Sequence, residues 1–381
     1  MDNILRASSV TLFPHIASLT APTAESRYGP SYKSRTGFFL RIFITETNTT
    51  QLYAYTLVLI MATSEAGVPI PFKIEVDTSV SHSNGAIPST SNIADSSGIS
   101  ENGRIYQGYN PSSTYALPND GEEQSRLDLQ HILCRRMIGN RLYVAPIQNP
   151  KSVMDIATGT GIWALEFANE HPDAKVVGTD LSAIQPPNAA PNASFLQEDA
   201  ERDNWSHHPQ FDFIHARLVA IWFKNLEAVL RKIYNQLTPG GWVEFQELPP
   251  VACSQDGTTV GTQYERFLQL VGKGLATIGI ENDVTPKLKP LMEKVGFVDI
   301  QEVKSGYPVG SWPKDPQMKE IGHMGEANVL SVVRGALSKS LAAAGLSEAD
   351  IAKLGDNVEA EIRGGMHAYV MTLFICGRKP E

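Results

Sequence analysis

The clearest indication of a fold in this 381-residue chain is the segment Val153-Met-Asp-Ile-Ala-Thr-Gly-Thr-Gly-Ile-Trp-Ala164. It begins as a short apolar strand, and Gly159 and Gly161 then make a tight turn into a helix. Glycine lets the backbone approach a ligand closely, and the helix points free N–H groups and its positive dipole end at the same place. The stretch therefore predicts a strand–turn–helix unit that binds a carboxylate or phosphate, with a tight connection that binds nothing as the alternative.

The residue that discriminates between ligands is Asp155. The turn also satisfies the dinucleotide fingerprint G-x-G-x-x-[G/A] through Gly159, Gly161 and Ala164. A carboxylate four residues before the first glycine would repel a pyrophosphate and attract an ammonium group. S-adenosylmethionine (SAM) carries an ammonium group on its methionine arm, beside a sulfonium. Asp155 thus favours SAM over NAD, and an aspartate that only satisfies the turn amides is the alternative.

Strands and helices alternate from this unit onwards, which predicts an α/β fold with a mainly parallel sheet and helices on both faces. The Pro-Gly-Gly turn at Pro239 ends one helix before the fifth strand. The predicted strands are 151–156, 175–179, 194–197, 211–215, 242–248, 297–303 and 368–376. The predicted helices are 122–142, 159–169, 223–237, 264–278, one from about Pro286, 316–344 and 347–362.

The chain divides into an N-terminal extension and one folded domain. Residues 1–102 are predicted to be disordered or poorly ordered, because residues 76–100 are rich in Ser, Thr, Asn and Gly and bury too little apolar surface to offset chain entropy. Met61 is a second plausible start, so whether residues 1–60 belong to the protein stays open. Residues 103–381 are predicted to form the domain, with its core from 151 and helical lid insertions at about 250–296 and 310–363.

Composition excludes several classes of partner. The net charge of −9 argues against nucleic acid, because phosphate binding needs a basic face. The apolar runs at 38–44 and 52–61 are shorter than the roughly 20 residues that span a bilayer, so no membrane association is expected. The cysteines at 134, 253 and 376 lie far apart without metal-ligand spacing, and no metal is expected. We expect a cytoplasmic protein, with the nucleus as the alternative location.

Acidic residues end the second and third predicted strands. Asp180 follows the glycines by about 20 residues, where an acidic side chain accepts hydrogen bonds from ribose hydroxyls in such folds; its alternative role is to cap the next turn. Asp199 is suited to accept a hydrogen bond from the exocyclic amine of adenine, while the N–H of Ala200 reads a ring nitrogen. The further acidic residues around Asp199 keep a solvated acidic loop open as the alternative.

The fourth and fifth strands supply the candidate catalytic residues. His215 and Glu247 are expected at the carboxyl-terminal edge of the sheet, and either is a candidate general base. The alternative for His215 is that it only packs against the cofactor or bonds the backbone. Arg217 is expected to anchor an acidic loop rather than to bind substrate.

Together these motifs resemble the class I SAM-dependent methyltransferases. Their order is an acid four residues before Gly-x-Gly, an acid ending strand two, Asp-Ala ending strand three, and Pro-Gly-Gly before strand five. Longer phrases resemble the fungal LaeA-like methyltransferases over about residues 103–377: Tyr115-Ala-Leu-Pro-Asn-Asp, Arg126-Leu-Asp-Leu-Gln-His131, Ala157-Thr-Gly-Thr-Gly-Ile-Trp163, Asp180-Leu-Ser-Ala-Ile-Gln-Pro186, Phe213-Ile-His-Ala-Arg217 and Gly240-Gly-Trp-Val-Glu-Phe-Gln-Glu247.

The resemblance implies a Rossmann-like sheet of seven strands with the last strand antiparallel, and SAM as cofactor. Ala157 stands where glycine is more usual in the family, and Tyr106 and Tyr115 are expected to close over the cofactor. The cofactor-binding residues that the resemblance implies are Asp155, Ala157, Gly159, Gly161, Asp180, Asp199, Ala200 and Tyr115.

Two functions remain open at this level. The first is an enzyme that methylates an oxygen or nitrogen atom of a small, largely apolar secondary metabolite. Aromatic and apolar residues around Tyr307, Trp312 and Met318 suit a planar or apolar acceptor, or belong to the core. The second is a LaeA-like nuclear regulator of secondary metabolism that binds SAM and velvet-type protein partners. An NAD-linked dehydrogenase is disfavoured by Asp155.

Overall fold

The computed structural model describes residues 98–187 and 190–381, together with two short strands earlier in the chain. Those strands, Tyr32–Lys33 (β1) and Phe39–Leu40 (β2), pair antiparallel with each other. The rest of the predicted N-terminal extension up to residue 97 lies outside the described residues. Ile99–Glu101 (β3) pairs with Arg104–Tyr106 (β4) in a hairpin, so regular structure is present four residues before the predicted boundary at 103.

Seven strands of the described chain form one sheet, and each overlaps a predicted strand. They are Ser152–Ile156 (β5), Lys175–Asp180 (β6), Ala193–Gln197 (β7), Phe211–Arg217 (β8), Leu237–Glu247 (β9), Val298–Pro308 (β10) and Tyr369–Arg378 (β11). The fifth starts at Leu237 rather than at 242, so it includes the Pro-Gly-Gly stretch that was predicted as a turn before it. The order of the seven strands is β10-β11-β9-β8-β5-β6-β7. β11 runs antiparallel to both of its neighbours, and the pairs from β9 to β7 are parallel, which confirms the predicted Rossmann-like sheet with an antiparallel last strand.

Eight α-helices accompany the sheet in the described chain. They are Gly121–Met137 (α1), Ile162–Glu170 (α2), Leu226–Gln236 (α3), Gln263–Thr277 (α4), Thr285–Val295 (α5), Pro316–Ser331 (α6), Ser338–Ala343 (α7) and Glu348–Arg363 (α8). A π-helical segment, Val332–Ala336, joins α6 to α7. None of the described helices is long and apolar enough to cross a membrane.

Helix α1 starts where its sequence predicts and ends earlier. The Asp120 side chain accepts a hydrogen bond from the backbone N–H of Glu123 and so caps the helix. The helix stops at Met137 rather than near 142, because Gly139 and Asn140 adopt left-handed backbone angles that a helix cannot contain.

The core on one face of the sheet is built from α3 and α5. Val229, Leu230 and Ile233 of α3 pack with Leu288 and Met292 of α5 against the buried strands. The predicted lid insertion of 250–296 is therefore wrong for its second half. Helix α5 covers the sheet because its apolar face, at i and i+4 spacing, matches the face of α3.

Four further elements form a separate apolar cluster. Helices α4, α7 and α8 and the π-helical segment meet there, with Phe267, Val333 and Leu341 fully or almost fully buried. Helix α4 approaches α7 so closely that a Cβ on Gly274 would lie 1.7 Å from the carbonyl oxygen of Ser340, so only glycine fits. The cluster falls within the predicted lid ranges, but α6, which those ranges also include, packs mainly with α1 and β10.

The aromatic residues suggested for the acceptor belong to the core. Tyr307 is buried and its hydroxyl accepts a hydrogen bond from Asn328, while the Trp312 indole N–H donates to the carbonyl of Ala368. Met318 packs against the cluster that contains Tyr307. None of these three residues lines the pocket described below.

Candidate functional site

A pocket opens at the carboxyl ends of β5, β6, β8 and β9, where the order of the sheet reverses between β5 and β8. This topological switch point is where open α/β sheets bind ligands. The lid helices and the segment before α1 close its other side. Its lining includes Tyr115, Leu117, Arg126, Gln130, Asp155, Ala157, Gly159, Asp180, Asp199, Ala200, His215, Arg217, Leu218, Ile221, Trp222, Phe223, Glu247, Leu248, Val332, Ala336 and Leu337.

The turn between β5 and α2 forms the floor of this pocket. Ala157, Gly159 and Gly161 all have left-handed backbone angles, with φ of 53°, 59° and 82°. Ala157 is a non-glycine residue in that region, which is uncommon and occurs at functional turns. Gly161 precedes α2 and makes no side-chain cap, so the first N–H groups of the helix are left without a capping side chain. The predicted strand–turn–helix unit is present, with the helix starting at Ile162.

Asp155 lies beneath this turn and is held on both of its oxygens. One oxygen accepts a hydrogen bond from the hydroxyl of Thr158 at 2.5 Å, and the other lies 2.7 Å from Nδ1 of His215. Strand register sets the second contact, since Asp155 of β5 pairs directly with His215 of β8. Asp155 is only 2% exposed, yet it lines the pocket.

One face and one edge of the His215 ring are held by neighbouring side chains. It stacks on the indole of Trp163 with ring centroids 3.9 Å apart and planes 2° from parallel. Burial lowers the pKa of His215 despite the neighbouring Asp155 carboxylate, so the imidazole is neutral at neutral pH. Because Asp155 accepts, Nδ1 carries the proton, and the buried Nε2 has no hydrogen-bond partner among the described residues. A ring held in this way is suited to orient Asp155.

Asp180 ends β6 and faces the glycine turn. Its carboxylate accepts hydrogen bonds from the backbone N–H groups of Gly159 at 2.8 Å and Ser182 at 2.9 Å. The side chain is only partly buried and lines the pocket. These bonds tie the ends of β5 and β6 together and fix the position of the carboxylate.

Both carboxylate oxygens of Asp199 accept hydrogen bonds from other residues of the chain. One oxygen accepts from the Asn110 side chain at 2.6 Å, and the other accepts from the N–H groups of Glu201 and Arg202. Asp199 therefore caps a turn and anchors the segment before α1, and its burial differs from the solvated acidic loop that was the alternative, while it and Ala200 line the pocket.

The two tyrosines before α1 take different positions. Tyr115 lines the pocket and meets Trp222 edge to face, with centroids 5.3 Å apart. Burial raises the pKa of Tyr115, so its phenol stays neutral. Tyr106 is buried elsewhere, with the Lys339 ammonium 3.5 Å from its ring centre. The expectation that both close over the pocket is therefore wrong for Tyr106, which packs with the π-helix side of the lid.

Glu247 ends β9 at the opposite rim. One of its oxygens accepts hydrogen bonds from the N–H groups of Val219 at 3.2 Å and Ala220 at 3.1 Å. Burial outweighs those bonds and raises the pKa of Glu247 to about 8. The carboxyl group thus titrates near neutral pH, the range in which general bases operate.

Two arginines reach the pocket in ways the sequence did not reveal. Arg126 of α1 forms a buried bidentate pair with Glu123, at 2.6 and 2.9 Å. Arg217 contacts His131 of α1 rather than the predicted acidic loop. The only available signal for Arg126 was a charged residue on the apolar face of α1, which also fits a solvated position.

The chemistry of the lining fits SAM. Carboxylates of Asp155, Asp180, Glu198, Asp199 and Glu201 border the pocket. Such a set suits a ligand that carries a sulfonium and an ammonium group, and it would repel the pyrophosphate of a dinucleotide. The left-handed turn at Gly159 brings backbone close to the space beside Asp180, as a bound nucleoside requires.

Comparisons with known proteins agree with this site. A family model described as a methyltransferase domain matches residues 129–302. Methyltransferase pytC of Aspergillus terreus is 38% identical over 286 residues, covering 74% of this chain and 87% of that protein. The probable methyltransferase tdiE of Emericella nidulans is 32% identical, covering 69% and 84%. The secondary metabolism regulator laeA of Aspergillus fumigatus is 31% identical, covering 58% and 60%.

The chain is a class I SAM-dependent methyltransferase. It belongs to the fungal family that includes both the methyltransferases pytC and tdiE and the LaeA regulators. SAM is its cofactor, and the sequence-based prediction of cofactor and enzyme class is confirmed.

Proposed function

We propose that this chain methylates an oxygen or nitrogen atom of a small, largely apolar secondary metabolite. The observation that carries this proposal is the apolar half of the pocket. Besides its acidic groups, the lining includes Leu117, Leu218, Ile221, Trp222, Phe223, Leu248, Val332, Ala336 and Leu337. A surface of this kind recognises a small apolar molecule, because such sites combine an apolar wall with few polar groups.

The acidic floor supports the cofactor roles. Asp155 is suited to attract the ammonium group of SAM, and Asp180 to accept hydrogen bonds from the ribose. The left-handed turn brings Ala157 and Gly159 to the pocket, whereas Gly161 does not line it and faces Phe195. Asp199 and Ala200 border the region expected for adenine, and Tyr115 covers the pocket from the segment before α1. When bound, SAM supplies a methyl group that is already activated by the sulfonium.

The chain itself needs to position the acceptor and accept its proton. Glu247 is the stronger candidate base, because it lines the pocket and burial raises its pKa to about 8. His215 is assigned a positioning role, since its Nδ1 holds Asp155 and its Nε2 is buried. Proximity of acceptor and methyl group contributes the larger part of the acceleration in such a site.

Incubation with methyl-labelled SAM and an extract of the source organism tests this proposal. We expect label in a small molecule, and we expect Asp155→Ala to abolish that signal. Asp173→Ala, on the exposed turn after α2, is the matched control and keeps the signal. Label that appears only in protein, or in nothing, would contradict the proposal.

A second function is favoured by the match to laeA, which is called a regulator of secondary metabolism. In that role the chain would bind SAM and a velvet-type protein partner, in the nucleus rather than the cytoplasm. The lid helices would then supply a docking surface for the partner. Stable co-purification with such a partner, combined with no label in any small molecule, would support the regulator over the enzyme.

A further inference from the structure

Arg217 presents a guanidinium group to the pocket that the roles above do not use. It is the last residue of β8 and lies two positions after His215, so both side chains leave the same face of the sheet. The next residue, Leu218, has a left-handed backbone angle with φ of 55°. A bulky residue adopts this conformation at a cost, and such strain accumulates at ligand sites. The backbone is therefore bent at the point where Arg217 meets the pocket.

A neutral histidine, not a carboxylate, holds the Arg217 side chain. Both terminal nitrogens of Arg217 lie 3.2 Å from Nδ1 of His131, which must accept because arginine only donates. Nε2 of His131 then carries the proton and donates to Glu166 at 2.8 Å. Burial lowers the pKa of His131, which agrees with a neutral ring. Glu166 is neutralised in turn by Arg135. The Glu166 carboxylate therefore pairs with Arg135 and not with Arg217.

The contrast with Arg126 shows what Arg217 lacks. Arg126 also lines the pocket, but the Glu123 carboxylate pairs with it on two nitrogens. No carboxylate of the described residues lies within 4.0 Å of the Arg217 guanidinium. A partly buried cation without an anion is unfavourable unless a ligand supplies one. A guanidinium fork matches the two oxygens of a carboxylate.

We infer that Arg217 binds the carboxylate of the amino-acid arm of SAM, and this rests on the proposed function. An α-amino acid carries an ammonium and a carboxylate on one carbon. Asp155 and Arg217 offer opposite charges on adjacent strands, β5 and β8, at the same end of the sheet. Asp155 takes the ammonium group and Arg217 takes the carboxylate, so the arm is bound at both charges. His131 is a positioning residue that orients the guanidinium.

The test compares two ligands by calorimetry with the full chain. One is S-adenosylhomocysteine and the other is the same molecule without its carboxylate, 5′-deoxy-5′-(3-aminopropylthio)adenosine. The wild type is expected to bind the first about 10- to 100-fold more tightly. In Arg217→Gln that difference should shrink to less than about threefold, because only the ligand with a carboxylate loses a contact. Arg217→Lys should keep part of the difference, since it retains the charge but not the fork.

Arg231→Gln is the matched control, because it removes the same charge from an exposed position on α3 outside the pocket. It should bind both ligands as the wild type does. A full ligand difference in folded Arg217→Gln would overturn the inference, as would unchanged S-adenosylhomocysteine affinity with a raised KM for the acceptor. Wild-type protein that binds neither ligand would instead overturn the cofactor assignment itself. Circular dichroism and Tm establish that each variant is folded.

Discussion

Nδ1 of His215 lies 2.7 Å from the carboxylate of Asp155, and both side chains are almost completely buried. The two residues are direct neighbours on parallel strands, so the contact is set by the register of the sheet rather than by a flexible loop. His215 thus holds the Asp155 carboxylate in place, and this role does not require contact between His215 and the methyl acceptor.

His215→Phe separates a positioning role from a catalytic one. The phenyl ring can still stack on Trp163, but Asp155 loses one hydrogen bond. We expect SAM to bind about 2- to 15-fold more weakly, with kcat at saturating SAM changed by less than about tenfold. A general base would instead contribute about 100-fold or more to kcat. His171→Phe, a partly exposed histidine stacked on Phe167 away from the pocket, is the control.

Asp180→Ala should weaken SAM binding by about 10- to 150-fold, because the lost hydrogen bonds involve a charged group. The Gly159 N–H also loses its acceptor, so the glycine turn becomes less fixed. Calorimetry on the folded variant measures the effect, with Asp173→Ala as the exposed counterpart. Unchanged affinity would remove Asp180 from the ribose role.

The two glycines of the turn should differ in their effect on stability. A Cβ on Gly161 would lie 2.7 Å from the ring of Phe195, whereas a Cβ on Gly159 meets only Leu127 at 3.5 Å. Gly161→Ala is therefore expected to lower the free energy of unfolding by about 2–4 kcal/mol, and Gly159→Ala by about 1 kcal/mol. The added Cβ at 161 meets Phe195, which does not line the pocket.

Gly345→Ala controls for backbone strain alone, because Gly345 has a φ of 98° with nothing within 4 Å of its added Cβ. Chemical denaturation of the three variants ranks them. Equal losses at 161 and 345 would show that contact with Phe195 adds nothing.

Glu247 should make the protein less stable as the pH rises. Its pKa is about 8 in the folded chain, against an ordinary value of 4.5 for a glutamate, so the folded state binds more protons between these pH values. Stability from this group is complete below about pH 4.5 and is lost as the pH rises through about 8. Glu247→Gln mimics the protonated form, and we expect it to be more stable than wild type by about 1–3 kcal/mol at pH 8 and little different at pH 5.

Tm measured from pH 5 to 8.5 checks this prediction, and part of the decline should persist in the variant because burial also raises the pKa of Glu244 to about 7. A wild-type Tm that is level across this range would contradict it. Methyl transfer by Glu247→Gln gives the second readout, since loss of the base lowers kcat more than SAM affinity.

Local patterns predicted the strands and helices because each depends on apolar spacing and turn residues close in sequence. The turn at Gly159 and Gly161 and the capping residue Asp120 are of this kind. The assignment of α5 to the lid was wrong. The apolar spacing of a helix predicts that one face is buried, but it does not predict which surface that face packs against.

The candidate site depends on contacts that no local pattern contains. Arg217 and His131 are 86 residues apart in the chain, and Asn110 and Asp199 are 89 apart. The partners of these side chains follow from how α1 and the segment before it pack on the sheet. The acidic residues of the pocket could therefore be identified from the sequence. Which of their carboxylates are hydrogen-bonded to other residues of the chain could not.

The position of β11 also governs how this sheet is made during translation. β11 is the last of its strands in chain order, yet it lies between β9 and β10. β10 pairs only with β11 within the sheet, so it has no partner while the ribosome is still synthesising residues 369–378. The nascent chain therefore exposes an open strand edge and an uncovered apolar face until this late segment emerges, and it needs protection from aggregation during that interval. A stop codon just before Tyr369 would cost the sheet two strands rather than one.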